Sequence, residues 1–287
     1  MIRVSLTALG AGGLASELPP RQRVPMADRT DIVDLSVVIP VRNEADNIAP
    51  LVEEIRSALK GSIRYEVVFV DDGSEDATPA EVARLSAEVP KVRLIRHAHS
   101  CGQSAAIRTG VRVARADWIT TLDGDGQNDP ADIPKLWHVG MATSGSAPIL
   151  VNGHRKRRQD RWSKRWASRI ANAVRSWLLG DETPDSGCGL KLFRRSLFLD
   201  LPYFDHMHRF LPALVLREGG TVYSVTVNHR LRRRGISKYG VFDRLGVGII
   251  DLFGVMWLKR RGARVFVLDE TSPETRRAPP SPVGSVM

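Results

Sequence analysis

Cysteine is scarce in this chain, with only Cys101 and Cys188 among 287 residues. Two cysteines exclude a disulfide scaffold and a cysteine-rich zinc domain, and the chain is long enough to fold around an apolar core without either. Unpaired thiols of this kind are typical of a cytoplasmic protein. The composition, with 43% hydrophobic and 26% charged residues, also excludes a wholly disordered or collagen-like chain.

Long apolar runs are also missing. The nearest candidate covers residues 245–258 and has Asp251 in its middle, whereas a membrane span needs about 20 apolar residues. We therefore expect no polytopic membrane protein. Acidic residues are outnumbered, since 42 Lys and Arg against 32 Asp and Glu give a net charge of +10. This excess predicts an anionic partner, either nucleic acid, a nucleotide or a phospholipid surface.

Composition divides the chain into four segments. Residues 1–30 lack periodicity and residues 267–287 are rich in Pro and Ser, so both are predicted to be disordered tails. Residues 31–240 form the predicted main domain. Residues 241–266 are predicted to be an amphipathic helix at a membrane interface, because a short apolar stretch is followed by three consecutive cations. An ordinary core helix or a dimer contact is the alternative for this last segment.

Short apolar runs alternate with helical patterns in the main domain. The predicted strands are residues 35–40, 65–70, 92–96 and 118–122. The predicted helices are residues 43–59, 78–87 and 103–114. This alternation indicates βαβ units and an α/β fold with a mostly parallel sheet. Ligands of such sheets bind beyond the carboxyl ends of the strands, which makes the loops at those ends the first place to look for function.

Polar loops follow three of these strands, with the sequences PVRNE, DDGSEDAT and DGDGQNDP. In the third loop, Asp123, Asp125 and Gln127 stand at alternate positions, and three oxygen donors on one loop suit Mg²⁺ or Mn²⁺. Each acidic loop taken alone could equally be a turn that caps a helix. The third loop lacks the closing Glu of an EF-hand calcium site. Because all three loops follow strand ends, we expect them to line one crevice.

The second half of the chain contains a basic segment, residues 154–177, with nine Lys and Arg against one Asp and with three Trp among them. A basic helix with interleaved aromatics is compatible with nucleic-acid binding, with an anionic membrane surface, or with a solvated face whose Trp residues pack on the core. We predict no nucleic-acid partner, because nucleic-acid binding would not account for the ordered acidic loops.

Together, the motifs SVVIPVRNE, VFVDDGSEDAT and TLDGDGQNDP resemble those of the GT-A glycosyltransferases of family 2. Within that family, residues 34–240 are most similar to polyprenyl-phosphate sugar synthases of the dolichol-phosphate mannosyltransferase type. The resemblance implies a GT-A nucleotide-diphospho-sugar transferase fold with a C-terminal amphipathic helical appendage. It also implies a Mg²⁺ or Mn²⁺ cofactor.

The same resemblance implies inverting transfer of one sugar, mannose or glucose-like, to a polyprenyl phosphate. The donor implied is GDP-mannose or a UDP-sugar. Relatives often continue into two or more membrane spans, whereas no such span is found in this sequence. The resemblance therefore implies a peripheral protein at the cytoplasmic face of an anionic membrane. A membrane-embedded partner protein is a further option. The alternative is a soluble family 2 glycosyltransferase that acts on a protein, a glycan or a small molecule.

The resemblance also assigns site residues position by position. The nucleotide sugar is expected to contact Pro40, Arg42, Glu44, Val70, Asp72, Asp123, Gly124, Asp125, Gln127, Arg232 and Lys238. The metal ligands implied are Asp123, Asp125 and Gln127. The acceptor-phosphate ligands implied are Arg155, Arg165 and Ser168. The catalytic residues implied are Asp125, Asp185, Arg232 and Lys238.

Three of these assignments carry a qualification from the residues themselves. Arg42 stands where the family often has an aromatic residue, and Gly124 stands where relatives often have Ala. Asp185 is the best-placed carboxylate for a catalytic base. However, a lipid phosphate is already ionised near neutral pH, so Asp185 could instead orient sugar hydroxyls or the basic cluster.

Overall fold

The computed structural model describes most of the main domain and one helix beyond it. The described residues are 32–143, 145, 147–155, 178–181, 183–231 and 241–261, without the side chains of 241–247 and 249. The two predicted tails, nearly all of the basic segment 154–177 and the residues Arg165, Ser168, Arg232 and Lys238 lie outside them.

A single mixed sheet of seven strands runs through the described part of the chain. The strands are β1 Leu35–Val41, β2 Tyr65–Asp71, β3 Val92–Arg96, β4 Trp118–Thr121, β5 Ile149–Arg155, β6 Lys191–Arg194 and β7 Thr221–Val227. Their order is β3-β2-β1-β4-β6-β5-β7. The first four strands pair in parallel, as do β5 and β7, whereas β6 is antiparallel to both of its neighbours.

Helices connect the strands and cover both faces of the sheet. They are α1 Ala45–Leu59, α2 Thr78–Glu88, α3 Gln103–Val113, α4 Ile133–Ala142, α5 Arg195–Asp200, α6 Leu211–Arg217 and α7 Val241–Arg260. Short 3-10 turns lie at Pro130–Asp132 and Met207–Arg209. All four predicted strands and three predicted helices are present, with bounds within two residues of the prediction. The predicted α/β fold is therefore confirmed.

The alternation of side chains along β1 explains why the core has two layers. Leu35, Val37 and Ile39 face one side of the sheet, where α1, α2 and α4 pack. Val38 faces the other side, where α3, α5, α6 and α7 contribute apolar residues. Successive strand residues point to opposite faces, so a strand that is apolar throughout must be covered on both sides.

The antiparallel strand β6 determines what meets at the carboxyl edge of the sheet. Because β6 runs against β4, the residues that precede β6 lie beside the residues that follow β4. The Thr121 hydroxyl donates to the Gly189 carbonyl at 2.7 Å, which joins the two segments directly. The loop after β4 and the segment before β6 are therefore neighbours.

The last helix, α7, packs on the domain through one side. Val255 is fully buried in the core layer that includes α6, and Arg217 Nε donates to the Leu258 carbonyl at 3.0 Å. Ile250, Phe253 and Trp257 are between 60% and 73% exposed. None of the helices in the described residues has the length and apolar character needed to cross a membrane.

The close approach of α3 to the sheet yields a stability prediction. A Cβ at Gly110 would lie 2.4 Å from Val38 Cγ1 and 3.1 Å from Val70 Cγ2. Gly110→Ala is therefore expected to lower the free energy of unfolding by about 1–3 kcal/mol, as overpacking does. Chemical denaturation measures this change. The control is Gly254→Ala in α7, where an added Cβ would have no atom within 4 Å apart from its chain neighbours and its own helix backbone. An unchanged stability of Gly110→Ala would contradict the packing of α3.

Candidate active site

The predicted metal ligands share the loop that follows β4. Asp123 Oδ1 accepts a hydrogen bond from Gln103 Nε2 at 2.9 Å, at the start of α3. Asp125 Oδ1 accepts from the Gln127 backbone N–H at 3.1 Å, and Gln127 Nε2 lies 3.5 Å from the Arg230 carbonyl oxygen. The loop thus presents two carboxylates and one amide at the carboxyl edge of the sheet.

The Asp123 carboxylate lies directly against the backbone of Gly189. A Cβ at Gly189 would be 2.1 Å from Asp123 Oδ2, so any larger residue here would force the carboxylate to move. The glycine therefore makes room for the Asp123 carboxylate in its present position. This contact joins the predicted metal loop to the segment before β6, which also contains Asp185, a predicted catalytic residue.

Burial and the neighbouring charges change the pKa of Asp123. Burial, followed by repulsion from Asp125, raises the pKa of Asp123 to about 6, against the opposing attraction of Lys191 and Arg155. Lys191 is buried, and its ammonium donates to the carbonyls of Ser186, at 2.9 Å, and Cys188. Burial lowers the pKa of Lys191.

A divalent cation fits this donor set. Carboxylate and amide oxygens are the hard ligands that Mg²⁺ and Mn²⁺ prefer. Burial and repulsion from Asp125 both disfavour the ionised form of Asp123, and a bound cation would offset both effects. A proton competes with the cation for Asp123, since the ligand must be deprotonated.

The residues at the end of β1 explain why glycine stands at position 124, where relatives often have Ala. A Cβ there would lie 2.5 Å from Val41 Cγ1 and 3.1 Å from the Pro40 carbonyl oxygen. The Val41 side chain fills the space that an alanine methyl group would need. Gly124 and the end of β1 are therefore fitted to each other.

Asp72, predicted to contact the nucleotide, holds a neighbouring loop in this structure. Its Oδ1 lies 2.8 Å from both His97 Nδ1 and the Cys101 backbone nitrogen. Its Oδ2 accepts from the Ser100 hydroxyl at 2.8 Å and from the Gly102 N–H at 2.9 Å. Burial alone would raise the pKa of Asp72, but these hydrogen bonds hold it below the usual value.

Asp72, His97 and Cys101 offer ligand atoms within 4.8 Å of one another, a spacing compatible with a metal ion. The Asp72 oxygens already accept four contacts from the loop, so we interpret this group as a loop anchor. Arg42 joins it, because its Nη1 donates to the Ser100 hydroxyl at 3.0 Å. Arg42 and Asp72 are thus linked through Ser100, beside the predicted nucleotide site.

The other predicted nucleotide contacts lie along the first two strand ends. Pro40 is half-buried near the end of β1, and Val70 is fully buried in β2 with its side chain under α3. The Glu44 carboxylate accepts from Asn47 Nδ2 at 2.6 Å, and the Glu44 N–H donates to the Thr78 hydroxyl at 2.8 Å. The loops after β1 and β2 are therefore tied together.

Arg155, a predicted acceptor-phosphate ligand, and Asp185 form a two-point ion pair that is largely buried. Arg155 Nε lies 2.6 Å from Asp185 Oδ2, and Nη2 lies 2.8 Å from Oδ1. Burial would lower the pKa of Arg155, but the pairing with Asp185 raises it, so the guanidinium stays charged. Arg155 is the last residue of β5.

Sequence comparison identifies the family. Residues 36–201, more than half of the chain, match the family described as glycosyl transferase family 2. The chain belongs to glycosyl transferase family 2. It is 34% identical over 241 residues to the dodecaprenyl-phosphate galacturonate synthase of Rhizobium johnstonii, a match that covers 83% of this chain and 70% of the relative.

A second relative of this family 2 chain is the undecaprenyl-phosphate 4-deoxy-4-formamido-L-arabinose transferase of Edwardsiella ictaluri. The two are 35% identical over 225 residues, or 77% of this chain and 68% of the relative. The family resemblance inferred from the motifs is thereby confirmed, and the protein is a glycosyltransferase.

Solved structures support the GT-A fold of this family 2 enzyme. The mannosyl-3-phosphoglycerate synthase of Rubrobacter xylanophilus has a TM-score of 0.62 at 18% identity, covering 85% of this chain and 79% of that one. The glucosyl-3-phosphoglycerate synthase of Mycobacterium tuberculosis, crystallised with Mn²⁺, UDP and phosphoglyceric acid, has a TM-score of 0.59 at 17% identity, covering 80% of each chain. At these identities, the likeness establishes the shared fold.

Four residues of this candidate site were not predicted from the sequence. They are Gln103, Gly189, Lys191 and Arg230. Gln103 gave a weak signal, because it opens a helix whose start faces the carboxyl edge of the sheet. Lys191 gave another, as a charged residue inside the apolar run GLKLF. Gly189 and Arg230 gave none, because their importance arises from contacts with residues distant in sequence.

The Gly189 contact yields a prediction about the family 2 site. Gly189→Ala is expected to displace the Asp123 carboxylate and weaken Mn²⁺ binding by about 10- to 100-fold, the usual effect of disturbing a ligand's support. Electron paramagnetic resonance of free Mn²⁺ measures the affinity. Gly187→Ala is the matched control, because its Cβ would meet only Arg155 Nη2 at 3.7 Å and Asp185 Oδ1 at 4.0 Å. Equal affinities in the two variants would contradict the assigned contact.

Proposed function

We propose that the protein is an inverting glycosyltransferase that moves one sugar from a nucleotide-diphosphate sugar to a polyprenyl phosphate at a membrane surface. The observation that carries the proposal is the contact of Asp123 with Gly189. This contact supports the proposal because a carboxylate pair suited to a diphosphate-bound cation lies beside the segment that contains Asp185, the ion-pair partner of Arg155. The names of the two relatives, each a polyprenyl-phosphate sugar synthase or transferase, support the same reaction.

On the donor side, Asp123, Asp125 and Gln127 would hold Mg²⁺ or Mn²⁺. When bound, the cation supplies Lewis-acid stabilisation of the departing nucleoside diphosphate. Arg42 can stack its planar guanidinium on the nucleotide base, the role that an aromatic residue serves in many relatives. Asp72 positions the loop beside that base, and Arg232 and Lys238 are proposed to neutralise the leaving diphosphate.

On the acceptor side, no base is needed, because the phosphate is already ionised when it attacks. The attacking phosphate oxygen bonds to the anomeric carbon as the bond from that carbon to the diphosphate oxygen breaks, which inverts the centre. Both oxygens of Asp185 contact Arg155, so Asp185 orients this guanidinium toward the acceptor phosphate. We propose Arg165 and Ser168 as further ligands of that phosphate.

The relatives widen the choice of sugar. The sequence resemblance implies mannose or a glucose-like sugar, whereas the relatives are named for galacturonate and 4-deoxy-4-formamido-L-arabinose. We therefore propose a donor screen that includes GDP-mannose, UDP-glucose and nucleotide sugars of these two types. Galacturonate is the first candidate, because its synthase matches the larger part of this chain.

The donor screen also tests the carboxylates. Purified protein with Mn²⁺, radiolabelled donors and a short polyprenyl phosphate is expected to transfer label into the organic phase from one donor. Asp125→Ala is expected to reduce transfer to background with the fold intact by circular dichroism, because the diphosphate loses its cation. Glu88→Ala, an exposed acid paired with Arg84, is the control.

Full activity of Asp125→Ala would refute the metal assignment. The alternative of a soluble family 2 glycosyltransferase would be favoured by either of two results. One is transfer of label only to a water-soluble acceptor, and the other is hydrolysis of the donor without a lipid product.

For localisation, we propose that the 241–266 segment lies on the cytoplasmic face of an anionic membrane. Ile250, Phe253 and Trp257 are spaced three and four residues apart, so they share one exposed side of α7. Arg260 and Arg261 are exposed and follow Trp257 on that side. An apolar stripe that ends in cations suits the headgroup region, where each cation contributes about 1 kcal/mol.

The α7 face is tested by vesicle flotation. Full-length protein is expected to float with vesicles that contain phosphatidylglycerol and to stay behind with neutral vesicles. The double variant Phe253→Ser/Trp257→Ser is expected to bind at least tenfold more weakly, because about 2 kcal/mol of apolar burial is lost per large side chain. Tyr203→Ser, another exposed apolar position, is the control. Unchanged flotation of the double variant would refute the assignment, and a concentration-dependent dimer would favour a protein contact.

A further inference from the structure

The segment that follows β7 rests on the metal loop through its backbone. His229 forms an isolated antiparallel bridge with Asn128. The Arg230 N–H donates to the Gln127 carbonyl at 2.9 Å, and Gln127 Nε2 lies 3.5 Å from the Arg230 carbonyl. Arg230 is therefore paired through both main-chain groups with a residue proposed to bind the metal.

The Arg230 side chain makes a second connection across the same loop. Its Nη1 lies 2.7 Å from Glu54 Oε2 in α1, and its Nη2 lies 2.6 Å from Asp129 Oδ1 at the end of the loop. Burial would lower the pKa of Arg230, but the two carboxylates raise it, so the guanidinium remains charged. One side chain thus ties the loop to a helix of the rigid core.

A cleft between α1 and the loop shows why such a connection is needed. Its volume is about 90 Å³. The lining residues are Asp46, Asn47, Pro50, Leu51, Glu54, Asp125, Gly126 and Arg230. Asp125 and Gly126 border this space, and Gly126 has a φ of +71°. Close packing therefore does not hold this part of the loop against α1, whereas Arg230 spans the gap by its ion pairs.

We propose that Arg230 is a positioning residue that holds the loop of Asp125 and Gln127 in its cation-binding shape. The inference rests on the metal site of the proposed function. Residues that orient metal ligands from behind typically contribute 10- to 100-fold to metal affinity. Arginine suits the position because its planar fork reaches two carboxylates at once, which the single ammonium of lysine does not.

The test measures the loop and the metal separately from transfer. Mn²⁺ affinity of the full-length protein is measured by electron paramagnetic resonance, and backbone order at residues 125–132 by hydrogen exchange of the metal-free protein. Arg230→Ala is expected to raise the Mn²⁺ dissociation constant about tenfold and to speed exchange in this loop. Arg230→Lys and Glu54→Gln are expected to give smaller changes in the same direction.

Arg64→Ala is the matched control. Arg64 makes a comparable two-point pair with Asp34 next to the start of β1, at the opposite edge of the sheet. This variant is expected to leave both readouts unchanged. If Arg230→Ala does not fold, the test is made with Arg230→Lys and Glu54→Gln, provided that their melting temperatures equal that of the wild type.

Mn²⁺ affinity within twofold of wild type and unchanged exchange in the Arg230 and Glu54 variants would overturn the proposal. A lower melting temperature with unchanged metal affinity would also overturn it, because Arg230 would then support only the fold. A wild-type protein that binds Mn²⁺ but transfers no sugar would refute the proposed function and leave this inference standing.

Discussion

Two carboxylates crowd together at the end of β4, and the arrangement of the site follows from how their charge is accommodated. The Asp123 carboxylate lies against the backbone of Gly189 and accepts a hydrogen bond from the Gln103 amide. The cations that attract it, Lys191 and Arg155, both belong to the second half of the domain. Strand β6 must therefore run antiparallel, since only then does the segment before it reach the same edge as the loop after β4.

The two acidic loops of the site differ in how their charge is satisfied. Asp72 accepts four contacts from the loop of residues 97–102, so its charge is already used to hold protein in place. Burial raises the pKa of Asp123, and repulsion from Asp125 raises it further. A carboxylate that is fully hydrogen-bonded organises structure, whereas a crowded pair favours a cation. This difference separates two loops that look alike in sequence.

The sequence predicted the features that depend on residues close together in the chain. The strands, the first three helices and the loops at their ends were found because apolar periodicity and turn residues are local signals. The roles of Gly189 and Arg230 could not be found, because 68 residues separate Thr121 from Gly189 and 103 separate Gln127 from Arg230. The sequence suggested that Asp185 could orient the basic cluster, but it did not identify Arg155 as its partner, for the same reason. The wider family implied mannose or a glucose-like sugar, whereas the two relatives are named for galacturonate and 4-deoxy-4-formamido-L-arabinose.

The Arg155–Asp185 pair has a consequence for how this protein can diverge. It joins two points that are thirty residues apart in the chain, at the end of β5 and shortly before β6. The pair holds both ends of this interval at the edge of the sheet, whereas the contact of Asp123 with Gly189 lies outside the interval. Arg165 and Ser168, the proposed acceptor ligands, stand within the interval in sequence. Changes of sequence there can therefore alter the proposed acceptor half while the donor half keeps its contacts.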